Sequence, residues 1–448
     1  MRTFIALSFI ASLAFAVPSS ANESINGSWK GKLTITPEQS MELIFHFKKQ
    51  ESGYTATVDV PQQQQFGLAF NSVKVSKTKL ELSLDAAHIK YSATIDGSAL
   101  TGVYSQGSFK APLNLSRTKQ VVTRAKKPQE NFDNAPYTQE LLTFVNQTTN
   151  DSLAGTLTLP STPYKAIAIL LSGSGPTTRD GDAFGHKVLA VIADQLTRNG
   201  IGVLRFDDRG VGESTGDFST ATSQDFATDA NAAYQFLSSQ QRFKDKKIGF
   251  IGHSEGGLIG AIASAKNPDI SFLISLAGPG TTGADILIDQ SYYIQKLRGV
   301  DAVTLANSDK VQRNIMSAIQ SNISEDALVT LLTDNGIPEK QARAQSKQLS
   351  SPWFQYFIKT DPKSFLSQLS MPMLALSGSL DSQVLAEKNI AGIEKAVTKN
   401  MLTTRIYPGL NHLFQPAKTG LPKEYANIDT TFSSKVSKDM SLWINDHL

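Results

Sequence analysis

Residues 247–266 read KIGFIGHSEGGLIGAIASAK, and the fold turns on how this stretch is interpreted. Positions 247–251 form a short apolar β run, and 257–266 form a small-residue helical run. Between them, Gly252-His253-Ser254-Glu255-Gly256 has the pattern G-x-S-x-G. Strand, tight turn and helix in that order are what a nucleophile elbow requires. A serine at the tip of such a turn is held in a strained backbone conformation that projects Oγ into a cleft. The two glycines lack the Cβ atoms that would keep strand and helix apart. The first N–H groups of the helix point toward the same cleft. A glycine-rich turn without chemistry is the bland alternative, and the flanking strand and helix argue against it. Ser254 is therefore the candidate nucleophile.

A serine hydroxyl needs a base, and the base needs a partner to hold its tautomer. Six histidines are available. His46 and His88 fall in an N-terminal β-rich region, and His253 is expected to point away from the nucleophile inside the elbow. His186 precedes the serine, against the chain order serine, acid, histidine. His447 is the penultimate residue. His412, in a loop after the last β run, is left as the general base. Asp381 follows the β run 373–377 and a turn at Gly378, and it precedes His412, so it is the expected acid. Asp285 is the runner-up. The oxyanion donors are expected to be the backbone N–H groups of Glu255 and of Ser174, the latter in Ser172-Gly173-Ser174-Gly175-Pro176. No P-loop or dinucleotide pattern completes that glycine loop.

Outward from the elbow, short β runs at 166–171, 202–206, 247–251, 272–277, 373–377 and 404–407 alternate with amphipathic helical stretches. This alternation predicts an α/β fold, a parallel sheet covered by helices on both faces. Residues 281–369 interrupt it with helical sequence far longer than a crossover needs, which predicts a cap over the site. In the cap, Trp353 and Phe354 follow Pro352 at a helix start and are expected to wall an acyl pocket. Residues 22–117 carry alternating strands with no helical period, which predicts a small all-β barrel or sandwich. Its opening, Gly27-Ser28-Trp29, faintly resembles the start of a lipocalin. Residues 118–136 read as a linker between this β-rich domain and the hydrolase domain at 137–448. Residues 62–65 are a polar glutamine loop without evident chemistry.

Arg2 followed by a 13-residue apolar run and small residues predicts a signal peptide over residues 1–21, and hence a periplasmic or secreted protein. With no cysteine there is neither a lipid anchor, nor a disulfide framework, nor a thiolate metal site. A net charge of +3 on 448 residues, with scattered Lys and Arg, gives no nucleic-acid footprint. No later segment has the length of a membrane anchor. Arg209, in the turn 206–214, is expected to pair with a carboxylate and shape that turn. Asp180-Gly181-Asp182 lacks the other ligands of a calcium loop. Neither a metal nor a cofactor is expected.

Several segments carry a family resemblance. These are Ser172-Gly173-Ser174-Gly175, Arg205-Phe206-Asp207-Asp208-Arg209-Gly210, the elbow through Gly257, Ser351-Pro352-Trp353-Phe354, residues 378–384 and Asn411-His412-Leu413-Phe414-Gln415. Together they resemble the bacterial α/β-hydrolases of the EstD esterase group, often labelled dienelactone-hydrolase-like or S9-peptidase-like. The β-rich extension is similar to that group's as well. The resemblance implies a triad at Ser254, Asp381 and His412 and hydrolysis of short-chain carboxylic esters without a cofactor. A serine exo- or oligopeptidase and an acyl thioesterase are the enzymatic alternatives. A binding module with a vestigial hydrolase fold is the non-enzymatic one.

Overall fold

A computed structural model describes residues 24–448, apart from 37–38, 51–52, 64, 85–88, 108 and 120–125. The signal-peptide segment, His88 and part of the expected linker lie outside the described residues. Nine antiparallel strands make the N-terminal sheet, in the order Gln65–Ala69, Gly53–Val60, Gln39–Gln50, Gly27–Thr36, Phe109–Thr118, Ala99–Gln106, Ile89–Asp96, Lys79–Leu84 and Ser72–Val75. The two edge strands are consecutive in the chain, so the sheet curls back on itself. Alternate residues of each strand face one side, and here Trp29, Phe45, Tyr91, Leu80, Leu100 and Leu113 are buried together. Trp29 donates its indole N–H to the Ile25 carbonyl at 2.8 Å, and the Arg117 guanidinium covers its ring. It is a packing residue.

The second sheet has eight strands, ordered Tyr137–Asn146, Asp151–Pro160, Gly202–Phe206, Ala166–Leu171, Lys247–His253, Leu273–Leu276, Met373–Gly378 and Leu402–Tyr407. From Gly202–Phe206 onward all neighbours are parallel. The six expected runs are all present, within two residues at their ends. The antiparallel pair Tyr137–Asn146 and Asp151–Pro160 was not placed from sequence. Its outer strand is half solvated, with Leu141 exposed to water, so its apolar alternation is weak. Helices pack on both faces, over two apolar cores. This is the α/β-hydrolase architecture.

Residues 281–369 form six helices, beginning with Gly283–Leu297 and ending with Lys363–Leu366. Thr282, Asp301, Ser324 and Ser351 each cap the start of one by accepting a backbone N–H, so the helix begins where the sequence places a small polar residue. Part of the expected linker is not a free tether. The Lys127 ammonium donates to the carbonyls of Ala426 and Ile428 at 2.8 and 2.7 Å. Glu130 is buried and accepts from the Lys187 backbone at 2.9 Å. Among the described residues no helix is long and apolar enough to cross a membrane.

Candidate active site

In open α/β sheets the crevice outside the carboxyl ends of the strands collects functional loops. Four strands deliver the candidate residues there: Ala166–Leu171 leads to Ser174, Lys247–His253 to Ser254, Met373–Gly378 to Asp381, and Leu402–Tyr407 to His412. A cavity of about 460 Å³ at this edge is lined by Ser174, Ser254, Glu255 and His412.

Ser254 has φ 56° and ψ −124°, a left-handed conformation that a non-glycine residue adopts only under constraint. The constraint is local. Its N–H bonds to the Leu276 carbonyl at 2.8 Å, and its own carbonyl accepts from Gly257 at 2.9 Å. A Cβ on Gly252 would lie 2.0 Å from the Gly256 carbonyl oxygen, and one on Gly256 would lie 2.4 Å from that of Leu171. Both glycines of the pentapeptide are therefore required by backbone contact. The helix Glu255–Lys266 starts immediately after the serine. The N–H groups of its first two residues, Glu255 and Gly256, have no intrahelical acceptor and point to where a negative charge would be stabilised.

His412 Nδ1 lies 2.7 Å from Asp381 Oδ2, with both side chains buried. The other carboxylate oxygen accepts the N–H groups of Gln383 and Val384, each at 2.8 Å, so Asp381 cannot rotate without losing all three bonds. Asn411 shapes the histidine loop, its side-chain oxygen accepting from the backbone of Leu413 and Gln415 at 3.0 and 2.9 Å. His253 does not point away from the site as expected. Its Nε2 donates to the His412 carbonyl at 2.8 Å, and the two rings lie 4.8 Å apart between centroids. Burial, and then the neighbouring His412, push the His253 pKa down to about 4, so this ring stays neutral.

Other candidates have different places. Asp285 sits in the first turn of a cap helix, accepting at 2.7 Å from the hydroxyl of Thr282, the residue that caps that helix. His186 is buried, bonded to Thr431 and the Tyr425 carbonyl. His447 stacks on Trp443. Arg209 makes a two-point ion pair with Asp229, at 2.7 and 2.9 Å, as the turn reading anticipated. Asp180 pairs with Lys187 and Arg205.

Ser174 lies on a loop that passes against the elbow: a Cβ on Gly173 would stand 3.2 Å from that of Ser254. Asp208 grips this loop at both ends, accepting from the Ser172 hydroxyl at 2.7 Å and the Thr177 N–H at 2.9 Å. Burial raises the Asp208 carboxyl to about 8, against its two donors. Sequence reasoning passed over Asp208 because an Asp after a strand usually just forms a turn.

Glu255 was expected to act through its backbone N–H, and its side chain is in addition a buried hub. It accepts from the Ser174 hydroxyl at 2.6 Å, the Ser223 hydroxyl at 2.6 Å and the Trp353 indole at 2.9 and 3.1 Å. Burial raises its pKa while these three donors oppose the rise. The contacts join the glycine loop, the elbow and the cap helix Pro352–Lys359 through one carboxylate. Trp353 does line the cavity, but Phe354 does not; it is buried among the cap helices. Phe357 takes the expected place, its ring stacked on Trp353 at 5.3 Å. Residues four apart share a helix face whereas neighbours are turned by about 100°, so Phe354 could not accompany Trp353.

A family model described as serine aminopeptidase, S33, matches residues 186–415, just over half of the chain. Esterase EstD of Thermotoga maritima is 26% identical over 268 residues, which span 59% of this chain and 58% of that esterase. An uncharacterized protein of Mycobacterium tuberculosis is 31% identical over 116 residues, 25% of this chain and 40% of the relative. Among solved structures, the Pyrococcus furiosus esterase Pf2001 aligns with 73% of this chain and 95% of its own, at 13% identity and a TM-score of 0.45.

Proposed function

The chain belongs to the serine aminopeptidase S33 family of hydrolases, and from that premise we propose that it is a serine esterase acting on short-chain carboxylic esters. The observation that carries this reading is the His412–Asp381 bond of 2.7 Å at the wall of the cavity that also receives Ser254 in its strained turn. In the proposed reaction His412 removes the Ser254 proton as Oγ attacks the ester carbonyl carbon. Asp381 holds Nδ1–H and stabilises the imidazolium. The backbone N–H groups of Glu255 and Ser174 receive the oxyanion. Collapse expels the alcohol, protonated by His412, and leaves Ser254 acylated. Water, deprotonated by the same imidazole, then releases the acid and restores the serine.

Two features favour an ester over a peptide amine terminus. An aminopeptidase needs unspent carboxylates for the substrate ammonium; of the two that line the cavity, Glu255 spends its oxygens on Ser174, Ser223 and Trp353, and Asp182 accepts from the Thr178 hydroxyl at 2.7 Å. The similarity to EstD, an esterase by name, points the same way. The stacked Trp353 and Phe357, which line the cavity on the cap side, favour short acyl chains. The apolar segment after Arg2 supports export to the periplasm or beyond.

The reading is tested by labelling the full chain with a fluorophosphonate and mapping the modified residue, alongside turnover of nitrophenyl esters of increasing chain length and of aminoacyl nitroanilides. Labelling at Ser254 with preference for acetyl to butyryl esters is expected. Faster cleavage of the anilides makes the protein an aminopeptidase, and no label at Ser254 removes the nucleophile.

A further inference from the structure

The cavity is not built by the α/β-hydrolase region alone. Gln63 and Gln65, from the N-terminal sheet, line it together with Ser254 and His412. Gln63 closes the turn Pro61–Gln63, and Gln65 opens the edge strand Gln65–Ala69. The turn is fixed to its sheet, since Gln62 accepts the Glu42 N–H at 3.2 Å. The sheet is in turn fixed to the hydrolase region, where the Asn71 side chain donates to the Gly210 carbonyl at 2.8 Å. From the cap, Gln290 faces the same space. Among the described residues, none hydrogen-bonds to the side chains of Gln63, Gln65 or Gln290, so three amides present unspent donors and acceptors to the cavity.

The charge of the lining narrows what those amides could meet. Neither Lys nor Arg is among the lining residues, which carry two carboxylates, Asp182 and Glu255. An anionic ester would find no counter-charge. A plain alkyl alcohol would strip water from the amides and return no hydrogen bond. A hydroxyl both donates and accepts, as a primary amide does.

We propose that the N-terminal sheet forms part of the substrate site, and that Gln63 and Gln65, with Gln290, bind the hydroxyl groups of a neutral sugar or polyol carried as the alcohol part of the ester. The proposal rests on the ester-hydrolase reading above and assigns its substrate class. It makes the first region of the chain a specificity wall and explains why a polar glutamine turn faces the proposed nucleophile.

The test compares glucose 6-acetate with hexyl acetate on the full chain and on the Gln63→Ala/Gln65→Ala variant, with thermal unfolding as a check on folding. In the native protein kcat/KM should favour the sugar ester. The variant should lower the ratio of the two kcat/KM values about tenfold, the scale of two lost neutral hydrogen bonds, and mainly through KM. Titration calorimetry of glucose 6-acetate into Ser254→Ala protein, with and without the glutamine changes, reads recognition apart from catalysis. Weaker binding without the glutamines supports the proposal even if no ester turns over, in which case the ester reading alone fails. An unchanged ratio or unchanged binding in a folded variant overturns the proposal, as does a native preference for hexyl acetate.

Discussion

Among the described residues, two groups of serine, histidine and aspartate invite comparison, one in the N-terminal sheet and one at the edge of the α/β sheet. In the N-terminal sheet the Ser28 hydroxyl lies 2.8 Å from His46 Nδ1, and His46 Nε2 lies 2.7 Å from Asp59. At the α/β edge, His412 and Asp381 make the matching 2.7 Å contact and Ser254 shares their cavity. Residue types and the His–Asp distance are the same, and of the two serines only Ser28 is hydrogen-bonded to its histidine, so these contacts alone do not make a catalytic site. The surroundings differ. Ser28 and His46 are cross-strand partners on a regular antiparallel pair, on the face opposite Trp29 and Phe45. No helix begins at Ser28, and neither Ser28 nor His46 borders the cavity. Ser254 sits at a left-handed turn on a helix N-terminus, beside a loop held from below by Asp208. Acyl transfer needs a site for the oxyanion as much as a base, and the proposed one lies in the second region, where a helix begins directly after Ser254.

The sharpest way to break this contrast is a pair of single changes. Ser254→Ala should lower ester kcat/KM by about 10³-fold or more with unfolding unaltered. Ser28→Ala should leave kcat/KM within about twofold, since it lies on a solvated sheet face. If the Ser28 change removes the activity, the assignment of the two groups is reversed.

A second contrast concerns what lies beneath each serine. Asp208 holds the loop next to Ser254, with its carboxyl raised by burial from 3.8 to about 8. Between those values the folded protein keeps a proton that the unfolded chain releases. Stability is therefore greatest below pH 3.8 for this group and is lost as pH rises toward 8. Asp208→Asn keeps an acceptor for Thr177 and supplies a donor to Ser172, and it should flatten the slope by at most about 1.4 kcal/mol per pH unit. Urea unfolding of both proteins at pH 5 and pH 8 measures the difference. Equal slopes would mean that Asp208 is charged when folded.

The smallest effect belongs to the first group. His46→Ala removes two hydrogen bonds at a partly exposed position and should cost about 1 kcal/mol of stability, read from the urea midpoint, with ester turnover intact. A larger loss would make the Ser28–His46–Asp59 ladder a major support of the curled sheet.

Much of the second region was legible because its constraints are local. The G-x-S-x-G turn, the order of acid and histidine, and the alternation of β runs with helices each occupy a few adjacent residues whose types are dictated by backbone contact or by chain order. Ser254, Asp381 and His412 could be proposed, and the parallel strands located, from that information alone. The hairpin Tyr137–Asn146 and Asp151–Pro160 escaped because solvent on one side weakens its apolar pattern. Glu255, Asp208, Phe357, Gln63 and Gln65 depend on something else. Each acquires its place from a segment distant in the chain: Trp353 from the cap meets Glu255 in the elbow, Asp208 reaches the ends of a loop some thirty residues earlier, and the glutamine turn is brought over the cavity by the fold. Chain order and spacing determined the proposed nucleophile, base and acid. Which groups surround them, and hence what they admit, was decided only when packing brought separate segments together, because side-chain contacts between remote residues leave no periodic trace in a single sequence.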